Sequence, residues 1–193
     1  MREFSAFTQK YSGPTNRIVT DVDVFPAFDP KSPPEGWPKP FRARGLWDTG
    51  ATASCISPEV ATNLKLASVG ISNVNHAGGV GTSSKYLVNF FLPNSVGVAG
   101  VLVHEFAAVP GDFGVIIGMD IISRGDFAVT HEDGKGCVSF RMPSCGQIDF
   151  VEEANRARMK LGKVGRNDPC MCGKTHPDGR PVKFKHCHGS GHT

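Results

Sequence analysis

No stretch of the 193 residues approaches the ~18 uninterrupted apolar positions that a transmembrane helix requires, so a membrane-spanning helix is excluded. The first twenty residues lack the apolar core of a secretory signal. There is no internal repeat, and Asp-Thr-Gly occurs once, at residues 48 to 50, with no second Asp-Thr-Gly or Asp-Ser-Gly. Disulfide frameworks are not indicated either. Three of the six cysteines fall within the last 24 residues beside several histidines, which points to metal, and Cys55, Cys137 and Cys145 read as reduced thiols, the first two buried in or near strands. These absences describe a water-soluble chain expected in the cytoplasm.

Charge is present but unevenly placed. Residues 1 to 150 hold 12 Lys and Arg against 14 Asp and Glu, a balance of −2, whereas residues 151 to 193 hold 9 against 4, a balance of +5. The length allows one full domain plus a small appendage, and the basic balance marks the appendage as a separate module. Its charge suits an acidic protein or RNA, although a solvated basic tail has the same composition.

Along the body, strand patterns dominate. Residues 17 to 25, RIVTDVDVF, alternate with period two and predict a strand. Residues 26 to 40 carry six prolines, so they run as an extended or turning surface connection able to border a cleft. FRARGLW and ATASCI read as strands on either side of Asp48. Ser57, followed by Pro58 and Glu59, is a helix start with a capping hydroxyl, and the helix should end near Leu64. Residues 71 to 93 read as a hairpin with a glycine-rich tip. VLVHEFAAVP adds a strand after a turn around Asn94 to Gly100. FGVIIGMDIISRG gives a buried run, a glycine and a brief helix ended by Gly125, and DFAVTHE with CVSFRMP close the body as a last hairpin. Residues 151 to 163 predict a connecting helix, acids first and bases last.

The lone Asp-Thr-Gly gains meaning from the order of its surroundings. An apolar strand delivers Asp48-Thr49-Gly50-Ala51, a further strand follows, a glycine-tipped hairpin comes about thirty residues later, and then two apolar residues precede a glycine with Asp120 nearby. The set, over about residues 41 to 142, resembles the retropepsin-like aspartic proteases, especially the single-domain branch related to the DNA-damage-inducible shuttle proteins. That resemblance implies a mainly β, closed-barrel acid-protease fold with one lobe per chain. It assigns Asp48, Thr49 and Gly50 to the catalytic turn and His76, Ala77, Gly78, Gly79, Val80, Gly81 and Thr82 to the flap. Ala51, Ile116, Ile117 and Gly118 would support the catalytic loop. Met119 departs from many viral relatives, which carry arginine there.

Physical chemistry explains why one such aspartate requires a partner. Hydrolysis by carboxylates needs a base and an acid together, and two carboxylates about 3 Å apart share one proton and divide those roles. A chain with one Asp-Thr-Gly achieves this by meeting its own copy across a two-fold axis. The resemblance therefore implies a homodimeric aspartic endopeptidase acting on peptide or protein substrates, with no cofactor for catalysis. Competing readings remain. Asp-Thr-Gly is also an ordinary turn sequence. The run from Gly78 to Gly81 lacks the lysine and helix start of a phosphate loop. Asp120 reads as a helix cap or ion-pair member, His76 and His104 as ordinary strand or loop residues.

In the tail, Cys170-x-Cys172 and, after fourteen residues, Cys187-His188 offer three thiolates and an imidazole, the donor set of a closed structural zinc site. A segment with so little core would not fold without metal. Gly165 to Cys170, Cys172-Gly173, Lys183 to Lys185 and Cys187 to Gly189 resemble the SEC-C motif, which implies Zn bound by Cys170, Cys172, Cys187 and His188 and contact with a protein or the ribosome. The loop THPDGRP is longer than usual for the motif, which leaves His176 or His186 as alternative ligands. The expected organisation is an N-terminal strand and Pro-rich segment (1–40), which could cover the cleft, a protease-like domain (41–145), a connecting helix (146–164) and the zinc module (165–193). A non-catalytic dimeric adaptor is the alternative to the bacterial enzyme, and a zinc-dependent RNA or ribosome factor ranks third, nucleic acid being the less favoured partner.

Overall fold

The computed structural model describes residues 3–76, 79–106, 112–160 and 164–189. Two compact units divide the chain, Met1–Cys145 and Gly146–Thr193. Among the described residues no helix is long and apolar enough to cross a membrane.

The first unit is a closed β-barrel. Strands β2 (Val19–Pro26), β3 (Phe41–Trp47), β4 (Cys55–Ile56), β5 (Gly70–His76), β6 (Gly79–Leu92), β7 (Val96–Glu105) and β8 (Val115–Ile117) form one sheet in the order β2-β3-β8-β4-β7-β6-β5. Because β2 pairs with β6 as well as β3, six strands close on themselves and β5 is carried outside on β6. Closure removes two sheet edges and leaves the interior to be filled by side chains. Val22, Val24, Ile56, Val88, Phe90, Val98, Val103, Val115 and Ile117 fill it, almost all wholly buried. The mainly β closed barrel, followed in the chain by a small Cys/His-bearing unit, is thus the expected fold class.

A second sheet, order β1-β10-β9, joins β1 (Ser5–Lys10), β9 (Asp126–Thr130) and β10 (Cys137–Met142). It packs on the barrel through Trp47, whose ring lies 5.8 Å from Phe7 and 5.1 Å from Phe140, centroid to centroid. The buried Trp47 Nε1–H donates to Thr20 Oγ1 at 3.0 Å, which satisfies the indole's polar atom.

Two helices interrupt the strands. α1 (Pro58–Asn63) starts as its sequence dictates, with Ser57 Oγ accepting from the Val60 N–H. α2 (Met119–Ile122) is a single turn after Gly118. In the second unit α3 (Phe150–Lys160) begins where Asp149 Oδ1 accepts from the Glu152 N–H.

Several expectations change. Within the first unit, β1 pairs with β10 and β2 with β3 and β6. The Pro-rich connection is tied to β2 and β6 by edge-on contacts of Trp37 with Phe25 and Phe91 and of Phe28 with Phe25. The expected ATASCI strand shrinks to Cys55–Ile56, because residues before it are drawn into the Asp48 turn. β7 starts at Val96, earlier than expected, since Asn94 and Ser95 take positive φ and make the turn at once. Cys55 and Cys137 are half-buried, each next in its strand to a buried residue, Ile56 and Val138.

Candidate active site and metal centre

Asp48 is the first residue beyond β3, where the strand's last hydrogen bonds aim it outward. Its N–H donates to Ile117 O at 2.9 Å, and its carbonyl accepts from Ala51 N at 3.2 Å. The side chain closes a smaller ring: Gly50 N–H donates to Asp48 Oδ1 at 2.8 Å, the geometry by which Asp holds its own turn. Asp48 is half-buried, while Thr49 and Gly50 are exposed at the tip.

Behind this turn lies the segment 116–118. Parallel β8 pairs Leu46 with Ile116 and Trp47 with Ile117. Gly118 crosses the turn so closely that a Cβ would lie 2.7 Å from Ala53 C and 2.9 Å from Ala51 O, so no other residue fits. Met119 N–H donates to Ala51 O at 2.8 Å. The structure therefore brings together Asp48, Thr49, Gly50, Ala51, Ile116, Ile117 and Gly118.

One residue of this layer, Ser54, carried no sequence signal, and a second, Asp120, has a different role from the one expected. Ser54, wholly buried, accepts from the Gly118 N–H at 3.0 Å and donates to Asp120 Oδ1 at 2.7 Å. Asp120 is accordingly neither helix cap nor ion-pair member; its carboxylate holds a hydroxyl 66 residues away. Neighbouring Cys55 is pushed up to about 11 by burial, with the charges of Asp120 and Asp48 adding and a His104 backbone contact opposing.

The flap expectation falls on β5 and β6. The hairpin registers Val74 with Gly81 and His76 with Gly79; Gly81 is half-buried and Thr82 exposed. Ala77 and Gly78, with the side chains of His76 and Val80, lie outside the described residues. The hairpin root is joined to the Asp48 layer by His104, which pairs in register with Lys85 and with Cys55 and whose Nδ1 lies 3.0 Å from Ser72 Oγ. Burial and the Lys85 charge lower the His104 pKa, against Asp120, so the neutral imidazole is favoured.

Clefts of about 570, 420, 550 and 440 Å³ open elsewhere on the described surface, and Asp48 lines none of them.

In the second unit, Cys170, Cys172, Cys187 and His188 converge, their four ligand atoms within 4.8 Å of one another. Sγ of Cys172 is 3.4 Å from Cys170 and 3.5 Å from Cys187; His188 Nδ1 is 3.3 Å from Cys170 Sγ and 3.4 Å from Cys187 Sγ. Sulfur separations of this size are far beyond the about 2.05 Å of a disulfide. They approach the roughly 3.7 Å edges of a tetrahedron with ~2.3 Å metal–sulfur bonds, so the donor set fits zinc. Burial raises Cys170, yet backbone N–H groups of Cys172 and His188 and side-chain bonds from His188 and Cys172 outweigh it and bring the thiol to about 6.

The local chain explains the convergence. Cys170 N–H donates to Val182 O, Val182 N–H to Lys174 O and Phe184 N–H to Asp168 O, folding the two ligand pairs onto each other. Gly173 takes φ +71°, and Gly189 leaves room for the Phe184 ring 2.8 Å from where a Cβ would lie. His176 and His186 are not in the cluster; both line the 550 Å³ cleft with Asp178, Arg180 and Lys183.

No family model matches the chain. Among solved structures it is similar to a retropepsin-like aspartic protease from Rickettsia conorii, at 8% identity over 73% of this chain and 97% of that one, with a TM-score of 0.44. It is also similar to the simian foamy virus (mac) protease, at 17% identity over 55% and 92%, TM-score 0.35. A foamy viral protease–reverse transcriptase in complex with an RNA/DNA hybrid matches at 16% identity over 78% of this chain and 16% of that one, TM-score 0.35. These are distant likenesses of chain path, and the functional reading stands on the residues themselves.

Proposed function

We propose that the chain is a homodimeric aspartic endopeptidase in which Asp48 of each copy supplies one of two paired carboxylates. The observation that carries this reading is the Asp48 turn: one carboxylate accepting from Gly50 N–H, on a backbone whose own N–H is tied to the Ile117 carbonyl, beside the exposed Thr49 and Gly50. A half-site of this kind becomes a cleft when a second copy meets it across a two-fold axis.

The paired carboxylates hold one proton between them. The ionised Asp48 takes a proton from water as its oxygen bonds to the peptide carbonyl carbon, and the protonated Asp48 gives its proton to the carbonyl oxygen. Collapse of the tetrahedral centre breaks the C–N bond, the leaving nitrogen receives a proton, and the shared proton is restored. Thr49 would hydrogen-bond across the axis to hold the two turns together, and Gly50 permits their close approach. The hairpin from His76 to Thr82 would close over an extended substrate, lending backbone hydrogen bonds and excluding water.

Cys170, Cys172, Cys187 and His188 would hold a structural zinc, which supplies folding energy and no chemistry to the reaction. The module, similar to SEC-C motifs, would recruit a substrate or a protein or ribosome partner. Incubation of the protein and its Asp48→Asn variant with a diverse peptide pool from about pH 4 to 7 tests the enzyme. Cleavage by the wild type alone supports it; two dimeric, inert proteins would favour an adaptor acting through the tail.

A further inference from the structure

The four residues after Gly50 do more than connect a turn to a strand. Ser54 is wholly shut off from solvent, so its hydroxyl has only protein groups to bond, and two are in place: Gly118 N–H at 3.0 Å and Asp120 Oδ1 at 2.7 Å. An N–H can only donate and a carboxylate can only accept. The hydroxyl proton must therefore go to Asp120, which leaves a lone pair facing Gly118. Asp120 thus fixes a rotor that would otherwise be free to turn away. Its backbone carbonyl, not its carboxylate, takes the Arg124 Nε–H, so the carboxylate remains committed to Ser54.

Gly118 is the middle of three consecutive residues that grip the Asp48 turn. Ile117 O accepts from Asp48 N at 2.9 Å, Gly118 N donates to Ser54, and Met119 N donates to Ala51 O at 2.8 Å. The outer two bonds touch the turn directly. The middle one keeps both at their separation, because a backbone that swings at Gly118 moves Ile117 and Met119 together. Close contact of Gly118 with the Ala51 and Ala53 carbonyls, each under 3.0 Å from an ideal Cβ, leaves no slack to absorb such a swing.

We infer that Asp120, acting through Ser54 and Gly118, is a positioning residue that sets the height of the Asp48 carboxylate at the dimer axis; this rests on the peptidase reading. Ser54 is wholly shut off from solvent, and Asp120 acts through it. The requirement is geometric: two carboxylates sharing a proton must lie within hydrogen-bond reach, and small displacements of catalytic groups are costly in rate.

Two measurements test it. In steady-state cleavage of a peptide taken from the pool, Ser54→Ala and Asp120→Ala should each lower kcat about tenfold or more with KM within about threefold, and the double variant should be no slower than either single one. Ser54→Thr, which restores the hydroxyl, should recover most of the rate. Exchange of the Gly118 amide with deuterium, followed by NMR, should quicken at least about tenfold in Ser54→Ala while core amides such as Val88 keep their protection. Should Ser54→Ala fail to fold, the milder Asp120→Asn, which keeps an oxygen acceptor without charge, takes both measurements with the same direction and smaller size. A folded variant with unchanged Gly118 exchange and kcat within about twofold overturns the inference. If the wild type cuts nothing, the peptidase reading falls while Gly118 exchange still decides whether Ser54 and Asp120 hold the turn.

Discussion

Trp47 and Phe127 lie face to face, ring centroids 5.1 Å apart and planes 9° from parallel, one residue before Asp48. The stack joins the last residue of β3 to the first strand of the closing hairpin. It makes the three-stranded sheet a support for the Asp48 turn, since Trp47 is also surrounded by Phe7 of β1 and Phe140 of β10.

Removing that support should be expensive. Trp47→Ala deletes a buried ring and orphans the Thr20 hydroxyl, and should cost roughly 3–5 kcal/mol in urea unfolding. Truncation of residues 1 to 16, which removes β1, should destabilise the barrel unit as well. A truncated protein that melts like the full chain would mean that β1 is a mere cover.

The acid sensitivity of this sheet has a definite sign. Asp126 accepts from the Ser144 hydroxyl, the Cys145 N–H and Arg141, and these bonds lower its pKa from 3.8 to about 2. The fold therefore favours the carboxylate: the stabilisation is complete above about pH 4 and is lost as pH falls through about 2. Melting curves of wild type and Asp126→Asn should differ at pH 7 and converge towards pH 2. Parallel curves across that range would contradict it.

Thiol chemistry separates the cysteines of the barrel unit. Cys55 is half-buried and pushed up to about 11, so little thiolate exists near neutrality, whereas Cys145 is exposed. Brief iodoacetamide treatment at pH 7.5, read by peptide mass spectrometry, should label Cys145 and spare Cys55 until the protein is unfolded. Equal labelling would mean that the Cys55 wall of the barrel opens readily.

The tail prediction concerns metal. Protein prepared with zinc should carry one ion per chain, and Cys172→Ser should lose it. The small core of the module, Cys170 and Val182, offers little to fold around without metal. Full metal content in Cys172→Ser would redirect attention to His176 or His186.

The legible features were local ones. The capping Ser57-Pro58, the Cys-x-Cys pair and the glycine-tipped hairpin each declare themselves within a few residues. β1 did not: SAFTQK turns only Phe7 inward, and it is a strand because Phe7 registers with Phe140 at the far end of the unit. Ser54 was hidden for the same reason. Within ATASCI nothing marks it as polar and buried, since its partners Gly118 and Asp120 arrive through tertiary structure. Asp120 misled because an acid opening a helix is ordinarily explained by the helix, and α2 is a single turn with another use for that carboxylate.

The most direct test of paired Asp48 carboxylates is a mixing experiment. Wild type and Asp48→Asn are unfolded together in equal amounts, refolded at fixed total concentration, and assayed on one peptide substrate. Random pairing with activity only where both copies carry Asp48 leaves about one-quarter of the all-wild-type rate. A rate of about one-half would mean that each chain works alone, and would contradict the account.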